Sequence, residues 1–227
     1  MSAKRRNNVV PFYEQPAIKP KNDAQKEYLN ALKNHVIVLA TGSAGTGKTY
    51  LAALVAADML LDNRTSIEKI VIARPNEGPG KSIGFLKGTL HDKMIPWAAP
   101  VLDALALRLG GMTKVLEYIE CGKIELLPME YARGKSYNNT VVIIDEAQNV
   151  DWESLKNMTL RIGLDSRLFI CGDTRQKDIK SFSGLEQMIK LGDEYHTPWK
   201  HVEFTLEHCV RSEMCKFLLG LYEEANV

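Results

Sequence analysis

The string Gly42-Ser43-Ala44-Gly45-Thr46-Gly47-Lys48-Thr49 constrains this chain more than any other. It fits G-x-x-x-x-G-K-[ST], a loop whose backbone N–H groups wrap phosphate oxygens. Such a loop works only between a strand and a helix, and the flanks supply both. Val36–Ala40 is a short apolar run rich in β-branched residues, which reads as a buried strand. Tyr50–Leu61 is rich in Ala and Leu and free of Gly and Pro, which reads as a buried helix. The glycines permit the tight turn, and the helix N-terminus adds partial positive charge. Gly42, Ser43, Ala44, Gly45, Thr46, Gly47, Lys48, Thr49 and the adjoining Tyr50 are therefore the expected nucleotide-binding residues. Lys48 is expected to reach the β- and γ-phosphates, and the Thr49 hydroxyl to ligate Mg²⁺.

A second segment completes this chemistry. Val141-Val142-Ile143-Ile144-Asp145-Glu146 is an apolar strand that ends in two carboxylates. A strand buried on both faces delivers Asp145 to its C-terminal end, where open parallel sheets place ligands. Asp145 is expected to hold Mg²⁺ with Thr49, and Glu146 to orient and deprotonate an attacking water. The plainer alternative is a strand end carrying two solvated acids.

A glutamate beside the magnesium-binding aspartate implies an extra strand between the loop-bearing strand and the carboxylate strand. Arg167–Cys171 is the candidate. It runs into Gly172-Asp173-Thr174-Arg175-Gln176, which resembles a G-D-x-x-Q motif of superfamily-1 helicases. That resemblance implies that Gln176 senses the γ-phosphate and that Asp173 stands near the metal and water. Superfamily-1 enzymes also carry a glutamine ahead of the loop that reads adenine. Here Gln25 is either that base reader or an ordinary helix residue. The expected ligands are thus ATP and Mg²⁺.

The strand candidates are Val36–Ala40, Lys69–Ala73, Ile124–Leu127, Thr140–Asp145, Arg167–Cys171 and His201–Thr205. Helical patterns cover Asp23–Leu32, Tyr50–Leu61, Pro100–Leu109, Thr113–Glu120, Asp151–Arg161, Gly184–Leu191 and Ser212–Glu224. This alternation predicts an α/β fold: a parallel sheet flanked by helices in the P-loop NTPase manner, with the inserted strand just described. Residues 1–21 read as an extended arm and 22–227 as one ATPase domain, while Asn76–Gly88 reads as a glycine-rich surface loop.

Charge and composition exclude several classes. Lys+Arg is 29 against 28 for Asp+Glu, so the chain lacks the bulk charge of a strongly basic nucleic-acid binder. No apolar run has the length of a membrane span, and no leader peptide is evident. The four cysteines form no C-x-x-C pair and the five histidines show no metal spacing, which suggests free thiols in a reducing cytosol.

Taken together, the strings resemble the PhoH family. Thr41–Leu51, Ile72-Ala73-Arg74-Pro75, Gly84-Phe85-Leu86-Lys87-Gly88, Arg133-Gly134-Lys135-Ser136, Asp145-Glu146-Ala147-Gln148-Asn149 and the late Val210-Arg211 pair follow the family's order. Lys87 stands where the family usually has proline, and Lys135 where it has arginine. The resemblance is to the short form of the family, often encoded by phage. It implies a cytoplasmic ATPase with a single helicase-like core, assembled as a homo-oligomeric ring of six.

Fast phosphoryl transfer needs a cation on the transition state, and a single core leaves that to a neighbouring subunit. Arg211 is the leading candidate for such a finger, followed by Arg133 and Arg161, with Arg74 behind them. Single-stranded RNA or DNA is the expected macromolecular partner. Arg74, Lys81, Lys87, Lys93 and Trp97, with Phe85, mix basic and aromatic groups suited to phosphates and bases. Two other classes stay open at this point. One is a nucleotide-dependent switch or scaffold without helicase activity. The other is a small-molecule kinase, against which Glu146 and the G-D-x-x-Q string argue.

Overall fold

The computed structural model describes residues 16–75, 90–132, 134–179 and 182–225. Six strands form one wholly parallel sheet: β1 (Ile37–Gly42), β2 (Lys69–Arg74), β3 (Ile124–Pro128), β4 (Thr140–Ile144), β5 (Arg167–Gly172) and β6 (Trp199–Phe204). Their order is β3-β2-β4-β5-β1-β6. β5 therefore lies between the loop-bearing β1 and the carboxylate-bearing β4, the inserted strand that the adjacent Glu146 implied.

Helices cover both faces. α1 (Asp23–Asn34), α2 (Lys48–Leu61), α4 (Ala99–Leu109) and α5 (Met112–Glu120) pack on one side. α6 (Trp152–Thr159) and α7 (Gly184–Glu194) pack on the other. Alternate strand residues supply the two cores. Val141 and Ile143 face α2 and α4, whereas Val142 and Ile144 face α6 and α7, and all four are 0% exposed. A strand buried on both sides leaves no polar alternation, so β4 appears in sequence as a continuous apolar run. α2 has the same character as a helix: Leu51–Ala57 are buried without interruption because the sheet, α1 and α4 surround them.

Several expectations need revision. α3 (Leu90–Trp97) occupies a stretch that shows no helical pattern in the sequence, and it carries Pro96 in its last turn. A proline in an eight-residue helix masks the periodicity, and docking on α4 supplies what local propensity does not. β1 starts one residue later than expected and reaches Gly42, because pairing with β5 and β6 extends it to the phosphate loop. β6 begins at Trp199, two residues early, where it pairs with Ile37. The glycine-rich segment 76–88 lies outside the described residues, as do Lys81, Phe85, Lys87 and Arg133. The cysteines are free thiols, and no described helix is long and apolar enough to cross a membrane.

α8 (Glu213–Ala225) closes the described chain and packs on the short Leu206–His208 turn. Met214, Phe217, Leu218, Leu221 and Tyr222 form an exposed apolar stripe along it.

Candidate functional site

Parallel pairing puts every strand's C-terminal end on one edge of the sheet, and the register aligns the functional residues there. Ala73 pairs with Ile144, which sets Arg74 beside Asp145, and Thr41 pairs with Gly172, which sets the phosphate loop beside the G-D-x-x-Q segment. The resulting cavity holds about 780 Å³. It runs from the carboxylates, across the loop, to residues 16–21, which carry neither helix nor strand.

The loop is shaped by glycines in backbone conformations that other residues resist. Gly45 has φ +77° and Gly47 φ +92°. Gly47 is the N-cap of α2 and no side chain caps that helix, so its first N–H groups face the cavity uncapped by the protein's side chains. Lys48 Nζ donates to the carbonyl oxygens of Gly42 and of Ser43, the latter at 2.9 Å. Burial pushes the Lys48 amine down from its ordinary value, and the charges of Asp173, Glu146 and Asp145 oppose that. A half-buried cation resting on neutral carbonyls, at an uncapped helix terminus, suits an incoming polyanion.

The metal expectation passes a similar test. Thr49 Oγ1 donates to Asp145 Oδ1 at 2.6 Å, so the two expected ligand oxygens already stand together. Asp145 is 6% exposed. Burial raises its carboxyl above the usual aspartate range, while Arg74 and the Thr49 hydroxyl pull it back down. Among the described residues no group of three or more His, Cys, Asp or Glu forms a metal cage. One hydroxyl and one carboxylate fit a hard cation that takes its remaining oxygens from water and phosphate, which is the habit of Mg²⁺.

Glu146 follows Asp145 with φ +55°, a left-handed conformation uncommon outside glycine. Its carboxylate receives Gln148 Nε2 at 2.7 Å, and Arg74 approaches it to 3.6 Å. Gln176 Nε2 donates to Asp173 Oδ2 at 3.0 Å, and both residues line the cavity. Burial raises the Asp173 carboxyl, against the Arg175 backbone amide and the charge of Lys48.

Three sequence candidates take positions that their local strings did not reveal. Gln25 is 3% exposed and clamps the loop. Its Nε2 donates to the Thr46 carbonyl at 2.9 Å, and its Oε1 accepts from Lys21 N at 2.8 Å. Arg74 lies under Trp97, 5.1 Å from guanidinium carbon to ring centroid, and 3.6 Å from Asp145. Its side chain is only 16% exposed and lines the cavity. Trp97 goes with it, and Lys93 lies on α3. Arg211 lines the cavity of its own chain. Val210 N donates to the Gly45 carbonyl at 3.0 Å, and the Arg211 stem comes within 3.1 Å of where a Gly45 side chain would start. Arg211 thus stands beside the phosphate loop of its own chain. Arg161 sits at the far end of the strands, where its NH1 donates to the Lys135 carbonyl at 3.2 Å.

Gln148 carries a role that sequence reading missed, although it stands in the quoted Asp145–Asn149 string. It is 1% exposed and joins Glu146 to the segment after β5. The available signal was a polar residue at a position that the fold buries, which becomes visible only once the fold is known.

The profile of the PhoH-like protein family matches residues 17–223. The chain is 36% identical over 207 residues to Protein PhoH of Escherichia coli (strain K12), covering 89% of this chain and 57% of that protein. It is 39% identical over 215 residues to a PhoH-like protein of Bacillus subtilis (strain 168), covering 92% of this chain and 65% of that one. The chain therefore spans between half and two thirds of the length of these relatives. Among solved structures, the large terminase of a thermophilic bacteriophage in complex with ADP aligns at a TM-score of 0.49 and 13% identity, covering 88% of this chain and 49% of that one. Pif1 helicase of Candida albicans aligns at 0.38 and 19% identity, covering 83% and 40%. Both scores are too low to bear on function.

Proposed function

The chain belongs to the PhoH family, and on that premise we propose that it is a magnesium-dependent ATPase of the cytoplasm that acts on single-stranded nucleic acid. One observation carries the hydrolytic part: the hydrogen bond between Thr49 and Asp145, which joins segments 96 residues apart at a single cavity. Lys48 would leave the Gly42 and Ser43 carbonyls for phosphate oxygens, and the uncapped N–H groups of α2 would hold the rest. Thr49 and Asp145 would hold Mg²⁺, which would neutralise phosphate charge. Glu146 would take a proton from water as that oxygen bonds to the γ-phosphorus. The bond from the γ-phosphorus to the β–γ bridging oxygen breaks, and its electron pair leaves on ADP. Gln176 and the two cavity arginines, Arg74 and Arg211, are assigned to the γ-phosphoryl group in cis.

The nucleic-acid part rests on the family's resemblance to helicase cores and on the basic and aromatic residues between Arg74 and Trp97. The exposed stripe on α8 supports assembly of several copies, and it equally suits the second reading, a nucleotide-dependent scaffold that docks a protein. Phosphate release from Mg-ATP, measured alone and with single-stranded RNA or DNA across a salt series, separates the two. A translocase gives salt-sensitive stimulation. No stimulation at low salt removes the nucleic-acid reading, and no phosphate release removes the ATPase.

A further inference from the structure

The short turn Ala147–Asn149, directly after the two carboxylates, is stitched to the segment after β5 at two points. Gln148 makes the inner stitch. Its Nε2 donates to Glu146 Oε2 at 2.7 Å and lies 3.5 Å from the Gln176 carbonyl, while its Oε1 accepts the Asp173 amide N–H at 2.9 Å. Asn149 makes the outer stitch, accepting from Asp178 N at 2.8 Å and donating to the Asp178 carboxylate at 3.3 Å. Only the inner one reaches the Glu146 carboxylate; Asn149 meets Glu146 through backbone alone, its N–H donating to the Glu146 carbonyl at 3.0 Å. The fold also clears space for it: a side chain on Gly172 would start 2.8 Å from Gln148 Oε1. A buried amide whose donor end holds one catalytic candidate and whose acceptor end holds the backbone of another segment links the two mechanically.

Resting on the ATPase reading above, we propose that Gln148 is a positioning residue that couples the general base Glu146 to the γ-phosphate-sensing segment Asp173–Gln176. When that segment adjusts to the terminal phosphate, Gln148 transmits the shift to the Glu146 carboxylate and aims it at the water. Gln148 itself is not among the residues that line the cavity. Its amide adds no further charge beside Glu146, which already faces Arg74 from β2, Asp145 from the end of β4, Lys48 from α2 and Asp173 from the β5 segment.

The test uses the full chain in four forms besides wild type: Gln148→Ala, Gln148→Glu, Asn149→Ala and Glu146→Gln. Affinity for a fluorescent ATP analogue and kcat are measured on each, with thermal melting as the check on folding. Both Gln148 variants are expected to lose about ten- to a hundredfold in kcat, the size expected for a lost hydrogen bond to a charged group, with analogue affinity changed by less than about threefold. Gln148→Glu keeps the shape of the side chain, so it remains informative if Gln148→Ala melts early. It places a like charge against Glu146 in place of a donor. Asn149→Ala, which loosens the same turn without reaching the Glu146 carboxylate, should keep kcat within about threefold of wild type. The proposal is overturned if Gln148→Glu keeps wild-type kcat, if the Gln148 variants lose analogue affinity as far as they lose kcat, or if Asn149→Ala reproduces the loss. Failure of the parent reading is separate: it shows as wild type without turnover, or as Glu146→Gln with full turnover.

Discussion

Replacing Thr49 with alanine removes the hydroxyl that donates to Asp145 Oδ1 at 2.6 Å. Asp145 is 6% exposed, so water does not readily replace that donor. A hydrogen bond to a charged group contributes about 1.5–3 kcal/mol, and partial compensation by Arg74, 3.6 Å away, favours the middle, about 2 kcal/mol. In a chain of this size each kcal/mol moves Tm by about 2–4 °C, so Thr49→Ala without nucleotide should melt about 4–8 °C below wild type. Thr49→Ser retains the hydroxyl and should stay within about 2 °C. Ligand adds a second, independent term. Mg-ATP at about a hundred times its Kd stabilises a binding protein by about 2.7 kcal/mol. The serine variant should show that gain and the alanine variant should lose its magnesium-dependent part. Scanning calorimetry of the three proteins, with and without Mg²⁺ and a non-hydrolysable ATP analogue, reads both terms. Coincident melts of Thr49→Ala and wild type without ligand would refute the reasoning, as would a serine variant that falls as far as alanine.

Asp145→Asn tests the electrostatics of the same corner. Burial raises the Asp145 carboxyl, so its contribution to stability is present below the free aspartate range and is lost as pH rises through the folded value. The neutral amide escapes that loss. Melts without nucleotide should therefore show Asp145→Asn gaining on wild type as pH rises above the free aspartate range, about 4, and falling behind once Mg-ATP is added. Gly42→Ala probes backbone geometry: at φ +120° its methyl would lie 1.7 Å from the Phe204 carbonyl oxygen, and the β1–β6 pairing must break. Urea denaturation should show a loss of about 3 kcal/mol or more, against about 1 kcal/mol for Gly122→Ala, where φ is +77° but no atom lies within 4 Å. Mixing Lys48→Ala with Arg211→Ala protein tests cis action. Two defects in one cavity leave no intact site in any mixture, so phosphate release should stay absent; restored turnover would return Arg211 to a neighbour's site.

Local strings carried the site's chemical parts because those parts are contiguous. The phosphate loop needs its glycines, lysine and threonine at fixed spacing, so eight neighbouring residues state the ligand class. β4 and β5 were equally legible, since a strand buried on both faces must be apolar throughout. Even the position of β5 in the sheet followed from one residue, Glu146, by way of the chemistry it implied. What stayed hidden depended on contacts between distant residues. Arg74 read as one of several basic candidates for a nucleic-acid contact, yet the register of β2 against β4 sets it beside Asp145 and Glu146. Gln25 has an ordinary helical neighbourhood, and only the crossing of α1 behind the loop gives its amide the Thr46 carbonyl.

The sequence alone determined a parallel α/β chain that presents a P-loop and two carboxylates, because glycine torsions, apolar periodicity and the order of charged residues are properties of short segments. The tertiary structure decided which cations face the cavity and which buried amide spans two strands. Those are matters of strand register and helix packing. They depend on residues far apart in the chain, and no short segment encodes them.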